Sequence, residues 1–193
     1  MPSIPMGLDG SRKDLHEFQK QALKKVASVP QLFIGIDPGQ AGGLVAIYSS
    51  GKTVEAVPMP ETERDIWNWF FSLPHLPHTR QAVIEKVHSM PDQGVASPFA
   101  FGKGYGGLRM ALIAAGIPFE EVTPQAWQKA LGIPPKKKEE SKPQWKNRLL
   151  ALAQQLHPNL PLWSEKKSKG KMLAVADALL IATFCKRKAT GTL

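Results

Sequence analysis

Three carboxylates differ from the other acids of the chain: Asp37, Glu85 and Asp177. Asp37 closes the apolar run Phe33-Ile34-Gly35-Ile36, and Glu85 closes Ala82-Val83-Ile84. Asp177 lies inside LAVADALLIA, an apolar stretch that reads as a helix. A carboxylate in such surroundings is costly to bury without a partner. Taken singly, each is explained as well by a capped or ion-paired structural acid as by chemistry. Taken together they suggest a site, because neighbouring strand ends in open α/β sheets line the ligand crevice. Three converging carboxylates repel one another unless cations sit among them. Oxygen donors select hard ions, magnesium or manganese rather than zinc. Two such ions about 4 Å apart can activate a water and stabilise the leaving oxygen of an in-line displacement.

The charge balance indicates what would be displaced. The 193 residues hold 25 Lys and Arg against 16 Asp and Glu, a net charge of +9. That favours a polyanionic partner, nucleic acid first and an anionic membrane surface second. The residue-level expectation is therefore metal-dependent nucleic-acid hydrolysis. The single cysteine, Cys185, excludes an internal disulfide and a cysteine zinc cluster, and suits a reducing compartment. No apolar run approaches the roughly 18 residues that span a bilayer, and no signal-peptide core opens the chain, so no membrane partner is expected. His75 and His78 read as surface residues, with no acid or cysteine close by to complete a metal set.

The elements that must position the acids follow from periodicity and breakers. Residues 11–27 form an amphipathic helix capped by Ser11, and Pro30 separates it from the rest. Strands are predicted at 31–36, 43–49 and 53–59, with Ser50-Gly51 as a hairpin turn. A helix over 61–73 has Ile66, Trp67, Trp69, Phe70 and Leu73 at helical spacing. A strand at 81–87 precedes a glycine-rich, aromatic segment that becomes a helix near Ser97 and ends at Gly116. Residues 119–122 are a strand, and Thr123-Pro124 starts a helix through Ala130. Residues 132–142 read as a charged, mobile linker, 141–156 as a helix capped by Ser141, 164–171 as a basic loop and 172–184 as a last helix. Cys185 and the bases after it then fall in a solvated tail. The expected architecture is an α/β fold, one mixed sheet with helices on both faces. One domain is the prior for this length.

IGIDPGQAGGLVAI, VIEKVHSMPDQGVASPFAFGKGYGGL, IPFEEVTPQAWQKALGI and VADALLIA together resemble RuvC-type Holliday junction resolvases, nearest the bacteriophage and organellar branch. The resemblance covers roughly residues 32–187, and its middle block is the most specific part. It implies an RNase H-like fold with a five-stranded mixed sheet, a three-stranded antiparallel meander plus parallel strands, over residues 31–188. Residues 1–30 are then an N-terminal extension and 189–193 a tail. It also implies a homodimer that makes paired nicks across a four-way DNA junction with Mg2+ or Mn2+. Carried over, Asp37 bridges the metals, Glu85 is the second carboxylate and Asp177 the acid on the last helix. Lys142 or Lys146 assists near the scissile phosphate. Gln93 to Tyr105 faces the junction centre, where Phe99 and Phe101 stack on or wedge between bases. The setting implied is the cytoplasm of a bacterial or phage-infected cell, or an organellar matrix.

Lys103, Arg109, Lys136, Lys137, Lys138, Lys166, Lys167 and Lys169 are expected along backbone phosphates, which makes affinity fall steeply with salt. The chain departs from the family three to five positions before the last aspartate. An acid or histidine is usual there, and this chain has Met172, Leu173 and Ala174. Three readings follow: three acids and water suffice, Glu165 or another residue of the basic loop substitutes, or the protein binds junctions and cuts them weakly. A phosphotransferase is the remaining alternative, since a strand–Asp–x–Gly–hairpin also opens the sugar-kinase and actin-like fold. That fold needs two lobes, and 193 residues are too few. A single-strand RNase H-like nuclease fits the glycine–aromatic block less well.

Overall fold

The computed structural model describes residues 16–18, 20, 30–74, 79–86, 96–164 and 169–193. The chain forms two compact units, Met1–Pro30 and Gln31–Leu193. In the first, residues 16–18 and 20 are helical and exposed; the rest of the helix expected over 11–27 lies outside the described residues.

The second unit is a five-stranded sheet with helices on both faces. Its strands are β1 (Leu32–Asp37), β2 (Gly43–Tyr48), β3 (Thr53–Pro58), β4 (Arg80–Glu85) and β5 (Phe119–Val122), in the order β3-β2-β1-β4-β5. β1, β2 and β3 are antiparallel neighbours, while β4 lies parallel to β1 and β5 parallel to β4. Among the described residues its α-helices are α1 (Glu63–Ser72), α2 (Ala96–Ala114), α3 (Pro124–Ala130), α4 (Lys142–Leu156) and α5 (Lys169–Ala189). This is the mixed α/β sheet expected from the sequence.

Strand alternation divides the core in two. Leu32, Ile34, Ile36, Leu44, Ala46, Ala82 and Ile84 face α1 and α2, where Ile66, Trp69, Phe70, Leu108 and Leu112 are buried. Phe33, Val45, Ile47 and Val83 face the other way, under Trp127 of α3, Leu149, Leu150 and Ala153 of α4 and the buried length of α5. Two glycines let α5 lie directly on the strands. A β-carbon on Gly35 would stand 2.1 Å from the Ala178 carbonyl oxygen, and one on Gly43 would stand 3.0 Å from that of Ala174. No other residue type fits at Gly35 without moving the helix.

Three expectations need correction. The last helix begins at Lys169, so 169–171 belong to it rather than to a basic loop, and it runs on to Ala189. Cys185 is buried in the core, because the helix continues through it and turns it toward the sheet; it is not part of a solvated tail. The segment after α3 is tied down: Arg148 donates to the carbonyls of Pro134 and Pro135 at 3.1 and 3.2 Å and pairs with Glu140 at 3.0 Å. The Arg148 guanidinium also stacks over Trp145, 4.4 Å from the ring centre. Its planar fork serves all three partners at once, which a single-point cation cannot do.

Candidate active site

The strand register brings two of the acids side by side. β1 and β4 run parallel with Phe33 opposite Gln81, Gly35 opposite Val83 and Ile36 opposite Ile84. The next residues in each strand are Asp37 and Glu85. By alternation they share the face of Phe33 and Val83, the face covered by α3, α4 and α5. Asp177 sits on α5 between Ala174 and Ala178, the residues that press on Gly43 and Gly35. Close helix–strand contact therefore sets Asp177 over the end of β1.

Lys146 is the fourth member. It lies one turn before the buried Leu149 and Leu150 on the inward face of α4. Its ammonium forms an ion pair with Asp177 Oδ2. A capping box fixes the start of this helix, with the Ser141 and Gln144 side chains bonding each other's backbone N–H. Lys142 is one turn further out and exposed.

The acids act on one another. Burial pushes the Asp37 carboxyl up to about 6, and Asp177 adds to the shift; Lys146 and the Gly39 backbone N–H oppose it. Burial also pushes Glu85 up to about 7, helped by Asp37 and Asp177 and opposed by the Trp127 indole and Lys146. Burial pulls the Lys146 ammonium down, but Asp177, Asp37 and Glu85 outweigh it and leave it above its ordinary value. One cation thus serves three acids, and the cluster retains excess negative charge when they ionise.

Sequence reasoning missed Trp127, which is wholly buried. Its Nε1–H donates to Glu85 Oε2 at 2.8 Å. Thr123 caps α3 by accepting from the Ala126 N–H at 3.3 Å, and Pro124 opens the helix, so the indole is rigidly placed. A tryptophan in a short helix reads as core, and no local pattern reveals that its N–H meets an acid 42 residues earlier.

Other predicted residues lie apart from the acids or already have partners. Lys103 pairs with Glu63 at 3.1 Å and Arg109 with Glu121 at 2.9 Å. Tyr105 packs against the α1–α2 core, its phenol pushed up to about 12 by burial and by Glu121, and its ring lies 6.4 Å from that of Phe101. Phe99 is exposed on α2. Lys136, Lys137 and Lys138 are exposed between α3 and α4, and Lys169 is exposed at the start of α5. Gln93, Glu165, Lys166 and Lys167 lie outside the described residues, as do His75 and His78.

A hard divalent ion suits this donor chemistry. Asp177 Oδ1 is buried with no hydrogen-bond partner. Gly42 keeps space beside Asp37 that a β-carbon would fill, 2.7 Å from Asp37 Cγ. The upward shifts of Asp37 and Glu85 come first from burial and then from the neighbouring carboxylates, and a cation set among the acids would oppose both. Among the described residues, however, no group of three or more His, Cys, Asp or Glu is set to hold a metal ion as it stands. Lys146 engages Asp177 instead.

No protein-family model matches the chain, and no curated protein matches it in sequence. The structure of Thermus thermophilus RuvC in complex with a Holliday junction substrate aligns with a TM-score of 0.51 and 19% identity, covering 84% of this chain and 97% of that one. The chain has the RuvC fold. A further T. thermophilus RuvC structure aligns at a TM-score of 0.49 and 19% identity, over 84% of this chain and 98% of that one. The fold is RNase H-like, as the resemblance implied.

Proposed function

We propose that the chain is a structure-selective endonuclease that resolves four-way DNA junctions by divalent-metal-dependent phosphodiester hydrolysis. A homodimer would place two such sites for paired nicks, with residues 31–188 as the nuclease domain. The observation that carries this reading is the grouping of Asp37, Glu85 and Asp177 with Lys146 at one end of the sheet in a RuvC fold. The net charge of +9 and the fold shared with a protein solved on a Holliday junction support the choice of substrate.

Asp37, Glu85 and Asp177 would hold Mg2+ or Mn2+, two ions in this reading. Such ions, when bound, activate the attacking water and stabilise the leaving oxygen. The protein's own residues do the rest. Trp127 fixes one oxygen of Glu85 and leaves the other to face the site. Lys146, released from Asp177, presents its ammonium to a phosphate oxygen, and Lys142 stands one turn outward on the same helix face. Lys136, Lys137, Lys138 and Lys169 follow the backbone of the junction arms, together with Lys166 and Lys167. Gln93, Phe99 and Phe101 meet the junction centre, flanked by Lys103, Tyr105 and Arg109.

A second reading is a junction-binding protein that cuts weakly. It is favoured by Leu173 and Ala174, apolar residues one turn before Asp177 on the same face of α5. One assay separates the two. A labelled four-way junction is incubated with Mg2+ or Mn2+ and either the parent or Asp37→Asn. Cutting that disappears in the variant supports the nuclease; binding without cutting in the parent supports the second reading.

A further inference from the structure

At the opposite end of the sheet from the acids is a cleft of about 820 Å3. Three separate stretches form it: the turn between β2 and β3, the end of α4 with the loop after it, and the last turns of α5. Its charged lining residues are all basic, Lys52, Lys186 and Arg187, with His157 between them. Among the described residues, no Asp or Glu lines it. None of the ion pairs among the described residues uses these three cations.

The cations converge. The Lys186 ammonium lies over the β2–β3 turn, 3.3 Å from where a β-carbon on Gly51 would stand. His157 is half-buried, and burial, followed by the charges of Lys186 and Arg187, holds its imidazole below the usual range against a bond to the Gly51 backbone. The His157 ring nitrogen is 2.8 Å from Thr183 Oγ1, and that hydroxyl donates to the Leu179 carbonyl at 2.8 Å. The same lining has apolar members, Leu156, Pro158, Leu160 and Pro161, with the polar Asn159 among them.

The helix C-terminus accounts for part of this charge, since cations are favoured in a last turn. It does not account for Lys52, which comes from another element, or for the lack of any acid among the described lining residues. Cations gathered in a cleft from separate elements raise the local concentration of an anionic ligand there. The volume is that of a small-molecule site, and an apolar wall beside a few polar groups is the usual composition of one. We propose that this cleft binds a small phosphorylated ligand of nucleotide size. Its phosphates rest on Lys52, Lys186 and Arg187, and its ring or sugar rests on the Leu156–Pro161 wall.

Calorimetry on the full chain in EDTA tests this with four probes: ADP, adenosine, inorganic phosphate and a blunt DNA duplex. ADP should bind once per chain, at least tenfold tighter than adenosine or phosphate alone. Lys186→Gln with Arg187→Gln should weaken ADP at least tenfold. Lys52→Gln, on the exposed turn, should weaken it severalfold with an unchanged melting temperature, which guards against a folding effect in the double variant. Absence of ADP binding at millimolar concentration would overturn the proposal, as would binding that neither variant alters. Duplex affinity that falls in the variants while ADP gives no signal would also overturn it, assigning the cations to DNA. None of these results depends on whether the acid end cuts junctions.

Discussion

Near its middle, α5 carries Asp177 among Asp37, Glu85 and Lys146; in its last turns it carries Lys186 and Arg187 beside Lys52 and His157. The two clusters lie about 13 Å apart along the helix axis. The acid end is buried, partly neutralised by a lysine and electrostatically frustrated. The basic end is more open to water, and among the described residues no Asp or Glu lines it. Burial makes the difference: excess charge is expensive where the dielectric is low and cheap where solvent screens it. A buried excess that persists in a fold points to a bound counter-ion, and so the acid end carries the functional reading.

The largest expected effect is at Asp37. Asp37→Asn should lower junction cleavage by at least about a thousandfold, since loss of a central catalytic group costs on that order. It should also stabilise the metal-free protein. Asp37 and Glu85 rise from 3.8 and 4.5 to about 6 and about 7. The folded state therefore holds these protons more tightly than the unfolded chain, and their ionised forms oppose folding. That penalty is absent below about pH 4, grows as pH rises, and is complete above about pH 7. Asp37→Asn should gain about 1–3 kcal/mol in urea unfolding at pH 8 without divalent ions, and nothing at pH 4. Equal stability at both pH values would remove the contrast between the two ends.

Trp127→Phe keeps the packing of α3 and removes the donor to Glu85. Cleavage should fall about tenfold, in the range seen when a ligand's outer hydrogen bond is lost. The acid limb of the pH profile should move upward, because that bond lowers Glu85. Loss of activity with an unmoved limb would mean that the indole serves packing alone.

Leu173→His places a metal-binding side chain one turn before Asp177. Cleavage should rise severalfold at low Mn2+. No gain at any concentration of either ion would show that three acids and Lys146 already complete the site. At the basic end, Lys186→Gln without ligand should shift the melting temperature by under about 2 °C, and the shift should vanish in high salt. A large, salt-insensitive change would show the basic cluster to be as buried in effect as the acids.

The acid end was largely legible in the sequence because local burial is written there. Asp37 and Glu85 each interrupt an apolar strand, Asp177 interrupts an apolar helix, and such breaks are visible without knowing what lies opposite. The partnership of Trp127 with Glu85 was not, since the sequence pattern displays how buried a residue is and not which distant atom it meets. Gly35 and Gly43 carried a further signal, two strand glycines on one face, that becomes specific only once α5 is seen to lie on them. The start of α5 was obscured by Lys169-Gly170-Lys171, a polar opening that reads as loop. Its far end was obscured by Lys186-Arg187-Lys188, which reads as tail although Cys185 beside it is core. The basic cleft was hidden because its cations come from turns and helix ends where charge is ordinary.

The most direct test of the central claim is a crystal soaked in Mn2+ and measured at the manganese absorption edge. The account predicts anomalous density between Asp37, Glu85 and Asp177, with the Lys146 ammonium displaced from Asp177. No anomalous density there at saturating Mn2+, with Lys146 still paired to Asp177, would contradict it.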